Sequence, residues 1–81
     1  MEIHPFSEPV TLTIDGVSAT IASAEEAQEW LTTRWPEDTR GPRHRDAVET
    51  CLKVIDGHRS AVDARDALLA AAEEAGLAVE S

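Results

Sequence analysis

The sequence predicts an α+β fold in which a β-hairpin packs on three helices in the order ββααα, with room for a short third strand at the C-terminus. Two runs of apolar/polar alternation flank a single Asp-Gly pair, and three later segments carry apolar residues at spacings of three and four. Capping and breaking residues separate those three segments.

In the hairpin, Val10, Leu12 and Ile14 alternate with Thr11 and Thr13, and Val17, Ala19 and Ile21 alternate with Ser18 and Thr20. Only Asp15-Gly16 lies between the runs, which predicts a two-residue type I′ turn. That turn pairs Ile14 with Val17, Leu12 with Ala19 and Val10 with Ile21, so all six apolar residues share one face. The other face is Thr and Ser, either wet or covered by a partner. Residues 1–8 are expected to be loosely ordered, with the hairpin at 9–22, the helices at 23–76 and a tail or short strand at 77–81, all within one small domain.

Ser23-Ala24-Glu25-Glu26 reads as a capping box. The first helix runs from there to about Arg34, with Ala24, Ala27, Trp30, Leu31 and Arg34 on one face, and Pro36 stops it because the residue before a proline is pushed out of the helical region. Glu37 to Arg40 form a loop. Gly41-Pro42 suit the N-cap and first position of a second helix, whose stripe is Ala47, Val48, Cys51, Leu52 and Ile55 and whose end is Gly57. Ser60 caps a third helix with Asp63 at the reciprocal position. Ala61, Ala64, Leu68, Ala71 and Ala75 line that helix, Val62, Leu69 and Ala72 widen its face, and its many alanines allow close helix approach. Gly76 ends it, with Leu77 placed for the hydrophobic contact of a glycine cap.

At 81 residues, thirteen of them alanine, the chain buries only about 60% of the surface its unfolded form exposes. Its thin core makes self-association an expected source of stability. One cysteine excludes an internal disulfide, and neither a signal peptide nor an apolar run of membrane-spanning length is evident, so a cytoplasmic location is expected. The formal net charge of −9 argues against a general nucleic-acid binder. The charge is unevenly placed, since residues 34–65 hold all seven Lys and Arg against six acids, while the rest holds ten acids and neither base.

Trp35-Pro36, then Gly41, Ala47 with Cys51, Gly57, Ala64-Arg65 and finally Ala71-Ala72-Glu73-Glu74-Ala75-Gly76 form an ordered pattern. From about Val10 to Val79 the chain resembles the bacterial family called domain of unknown function 982. The resemblance implies a short, stand-alone cytoplasmic protein with no nameable activity, and it carries over no catalytic or binding residue.

The candidate site is the start of the second helix, where Arg40, Arg43, His44 and Arg45 place positive charge at a positive dipole end. An antiparallel hairpin of helices two and three brings this turn beside Glu73 and Glu74, which oppose the dipole at the other helix's C-terminus. Ion pairs between the two groups are the favoured reading. An anion site is the alternative, with free N–H groups at Arg43 to Arg45 and guanidinium groups converging on phosphate or carboxylate.

Cys51 lies two turns from His44, about 10 Å, too far for a dyad, and its apolar neighbours make it a buried structural thiol. His4, His44 and His58 lack the short paired spacing of a metal site, so no metal or cofactor is expected. Arg65 reads as an anchor within the fold, and Trp30 and Trp35 read as core residues. The expected function is therefore a non-enzymatic protein-interaction module with an unidentified protein partner or a second copy of itself, away from any membrane. Binding of small anions or nucleic acid at the basic helix start is the runner-up.

Overall fold

Residues 3–80 are described by the computed structural model of this chain. Strand β1 spans Pro5–Ile14 and β2 spans Val17–Ser23. Helix α1, Ala24–Glu29, runs directly into a π-helical turn at Trp30–Arg34, and a 3-10 turn at Glu37–Thr39 leads to α2, Pro42–Ile55. Helix α3, Ala61–Ala75, and a short strand β3, Ala78–Glu80, complete an α+β fold.

The β1–β2 register is the one the turn dictates, with Ile14 opposite Val17, Leu12 opposite Ala19 and Val10 opposite Ile21. Asp15 and Gly16 both have positive φ, 52° and 80°, as a type I′ turn requires. Five of the six apolar hairpin residues are buried, but Val17 at the tip is 62% exposed. Strand β3 adds antiparallel to the far side of β1, pairing Thr13 with Ala78, Leu12 with Val79 and Thr11 with Glu80, so the sheet order is β2-β1-β3. The third strand thus lies one residue later than the 77–79 pattern suggests, because Leu77 is used by the helix cap.

The N-terminal expectation is corrected. β1 begins at Pro5, inside the segment read as loose, and Phe6 is in the core. His4 is pinned to the start of α1, its carbonyl accepting the Ala24 N–H at 3.0 Å. Residues 1 and 2 lie outside the described range.

The first helix is also not uniform. The Thr32 hydroxyl donates to the Gln28 carbonyl at 2.9 Å and the Thr33 hydroxyl to the Glu29 carbonyl at 2.6 Å. Side-chain hydroxyls that bond the preceding turn compete with the backbone ladder, and here they accompany the widening into a π turn. Arg34, expected on the inner face, is exposed.

The inward stripe of α2 consists of Ala47, Thr50, Cys51 and Val54, whereas Leu52, expected inside, is 44% exposed. Helix α3 buries Ala64, Leu68, Ala71 and Ala72 and leaves Val62 60% exposed. The small alanine faces let the two helices lie close, which confines the buried stripe to a narrow seam. Both helices end in a full Schellman arrangement. The Gly57 N–H bonds Val54 and the His58 N–H bonds Lys53, while the Gly76 N–H bonds Glu73 and the Leu77 N–H bonds Ala72.

Candidate functional site

The first turn of α2 gathers Arg43, His44 and Arg45, and the last turn of α3 lies beside it. Glu74 reaches across the helix hairpin, and its carboxylate accepts the main-chain N–H of Arg43 at 3.1 Å and of His44 at 3.3 Å. The Arg45 N–H donates to the Gly41 carbonyl at 3.1 Å. The amides expected to be free are therefore engaged by the fold. An acid that opposes the dipole of α3 answers the positive pole of α2.

The expected pairing of Arg43 and Arg45 with Glu73 and Glu74 takes a different form. Among the described residues no ion pair within 4.0 Å involves either arginine, because the carboxylate of Glu74 is spent on the backbone. Gly41 makes this approach possible. A Cβ at that position would lie 2.8 Å from Glu74 Oε1, although the local φ of −132° suits any residue. Glycine is needed here for space, not for backbone freedom.

The other members of the predicted cluster are tied inward. The Arg40 Nη2 donates to the Trp35 carbonyl at 3.0 Å. His44 Nε2–H donates to the Leu31 carbonyl at 2.7 Å, and its ring lies 6.1 Å from that of Trp35. Carbonyls near a helix C-terminus lack intrahelical donors, and His44 supplies one from the neighbouring helix. The side chains of Arg43 and Arg45 remain exposed. Arg43 borders a shallow groove along the α2–α3 seam together with Ala70, Glu73 and Glu74.

Cys51 is fully buried, and its thiol is pushed up to about 11, by burial first and by the Glu25 carboxylate second. A thiol so held is protonated at neutral pH and a poor nucleophile. The His44 ring is turned to the Leu31 carbonyl through Nε2–H, and no hydrogen bond links it to Cys51 among the described residues. No group of three or more His, Cys, Asp or Glu side chains among the described residues is arranged to hold a metal ion.

Arg65 anchors α3 to the sheet, its Nε donating to the Glu8 carbonyl at 3.0 Å. Trp35 is buried, and its indole N–H has no hydrogen-bond partner among the described residues. Trp30 is half-buried beneath the Arg34 guanidinium, 4.7 Å from the ring centre.

Two features escape the sequence patterns. Glu25 accepts the His4 main-chain N–H at 3.0 Å and the His4 ring Nδ1–H at 2.8 Å. Burial acts to raise the Glu25 carboxyl, but the bonds from His4 outweigh it and leave the group below its ordinary value. No local signal links positions so far apart. The second is which of the hairpin's two unpaired edges stays open: it is the outer edge of β2, which carries no charged residue and no proline from Val17 to Ser23. That signal is readable once β2 is known to be an edge. Among the described residues no helix is long and apolar enough to cross a membrane.

Residues 8–79 match the model of a protein family described as "Protein of unknown function (DUF982)". No curated protein and no solved structure matches the chain.

Proposed function

The chain belongs to the DUF982 family, and on that premise we propose that it is a non-enzymatic protein-interaction module working in the cytoplasm. The observation that carries this reading is the uncharged outer edge of β2, whose main chain has an unpaired side while the polar groups that could do chemistry are spent within the fold. Unpaired strand edges are templates for another chain, and natural proteins ordinarily block them with charge, proline or a bulge. Engagement of Glu74, His44, Arg40 and Arg65 by backbone partners supports a binding role over catalysis. The thin core gives the same partner, or a second copy of the chain, a stabilising role as well.

Capture of a protein partner from native lysate, followed by hydrogen exchange on the purified complex, tests the reading. The expected result is slowed exchange along one face of the chain. Sedimentation over a wide concentration range separates a foreign partner from self-association. A strictly monomeric protein that captures nothing would remove the proposal.

The alternative, small-anion or nucleic-acid binding at Arg40, Arg43, His44 and Arg45, draws support from the exposed guanidinium groups of Arg43 and Arg45. An anion there must displace Glu74 from the helix start, against a net charge of −9. Binding of phosphate or short oligonucleotides that is lost in Arg43→Ala and Arg45→Ala would favour this alternative.

A further inference from the structure

Resting on the interaction-module reading, we propose that the outer edge of β2 takes an extended, lysine- or arginine-bearing polypeptide segment as an additional strand, held by the main chain of Ser18 and Thr20. The register dictates which groups are open. In a two-residue hairpin the pair flanking the turn, Ile14 and Val17, exchanges both hydrogen bonds, and every second pair after it does the same. Leu12–Ala19 and Val10–Ile21 are thus the bonded pairs, and Ser18, Thr20 and Ala22 turn their N–H and C=O groups outward. Ala22 has already given its N–H to Glu26 Oε1 at 2.8 Å. Ser18 and Thr20 keep both outward groups, and no hydrogen bond among the described residues reaches their main chain from outside the sheet.

The side of β1 that faces away from β2 is covered by contrast. β3 covers Thr11 to Thr13, Arg65 bonds the Glu8 carbonyl beyond it, and Pro9 has no N–H to offer. The other edge of the sheet is β3 itself, only three residues long and ending in Glu80, and shortness and charge are ordinary guards of a strand edge. β2 has neither, and the exposed Val17 at its start offers an apolar contact to an incoming side chain.

Charge selects the occupant. Residues 1–33 contain no Lys or Arg, and β2 runs from Asp15 at one end to Glu25 and Glu26 just past the other, with Glu29 beyond them paired to Arg34 at 3.7 Å. A second copy aligned antiparallel about Ala19 would set Ser18 opposite Thr20 and bring each Asp15 towards the Glu25–Glu26 corner of the other copy. That places acid against acid between two chains of charge −9. A cationic strand makes the same main-chain bonds with the electrostatic sign reversed, in the manner of β-augmentation, where backbone bonds give affinity and alternate side chains give specificity.

The test is an amide titration of the labelled full chain with a synthetic nonapeptide alternating lysine with valine or threonine. Exchange at the Ser18 and Thr20 amides should slow by about tenfold at saturation, with shifts centred on β2. The same peptide N-methylated at alternate amides, and a counterpart with glutamate for lysine, should both fail to bind. Thr20→Pro removes the outward N–H without touching a β1–β2 main-chain bond, losing only the exposed 3.4 Å contact between the Thr20 and Thr11 hydroxyls, a substitution edge strands tolerate; Thr20→Lys loses the same contact, keeps the amide and adds repulsion. Both should unfold at the wild-type temperature and lose the peptide. Should Thr20→Pro fail to fold, Thr20→Lys and the methylated peptide still decide. The proposal is overturned if millimolar lysine peptide leaves these amides unchanged or the methylated peptide binds equally well. It is likewise overturned if Ser18 and Thr20 become protected by raising protein concentration alone, which makes a second copy the occupant. A natural partner that protects α2 or α3 instead of β2 overturns this assignment alone, and absence of any partner brings down the reading beneath it too.

Discussion

Glu74 and Gly41 act as one device. The carboxylate caps α2 from another helix, so its loss resembles loss of an N-cap, about 1 kcal/mol. Glu74→Ala should cost about that much. Gly41→Ala should cost a similar amount, because the new methyl would stand 2.8 Å from Glu74 Oε1 and push the carboxylate off the amides. In the Glu74→Ala background the glycine substitution should cost little, since nothing remains to be displaced. Denaturant unfolding of the four proteins measures this coupling, and full additivity would mean that Gly41 serves something other than the approach of Glu74.

The hairpin and the helices differ in where their stability lies. In the hairpin it lies in the turn. Asp15 and Gly16 both hold positive φ, a region costly for a β-branched side chain, so Gly16→Val should destabilise by about 1 kcal/mol or more. Thermal or denaturant unfolding of the variant checks this, and a neutral result would place the register under the control of the core instead. In the helices the cap sequences are local but the faces are not. Periodicity alone admits Leu52 on the inner stripe of α2. The structure turns Val54 and Thr50 inward instead, in the same rotation that points His44 at Leu31 and buries Ala47 and Cys51 in the core. One helix has one rotation, and the long-range partners choose it.

Across the whole molecule, acid should loosen the join between the N-terminus and α1. The carboxyls of Glu25 and Asp63 both lie below their ordinary values in the folded state. For Glu25 burial is the largest influence and acts upward, but the His4 bonds prevail; for Asp63 the Arg59 bond is the leading cause. A group whose folded pKa is depressed contributes stability that is complete above its unfolded value, 4.5 for Glu25, and is lost as pH falls through the folded value. Stability should therefore fall below about pH 4.5, and Glu25→Gln should show a shallower decline over that window while being less stable at neutral pH. Urea unfolding at a series of pH values reads this. Equal slopes for the two proteins would show that the His4–Glu25 contact carries no linkage.

The turn, the caps and the order of elements are legible in the chain because each depends on residues within a few positions of one another. Asp15-Gly16 sets a register, Pro36 ends a helix, and Gly57 and Gly76 close two others. Burial of Cys51 is equally local, read from apolar neighbours at helical spacing. What only the tertiary structure decided lies between residues far apart in sequence. The Glu74 carboxylate on the amides of α2, His44 on the Leu31 carbonyl, His4 on Glu25 and β3 against β1 all depend on elements meeting in space, and no periodicity encodes such meetings. The same holds for the candidate site. The sequence marked positive charge at a helix start, but whether those amides were open depended on a residue thirty positions away, and the edge left open, β2, is an edge only because β3 returns to the other side.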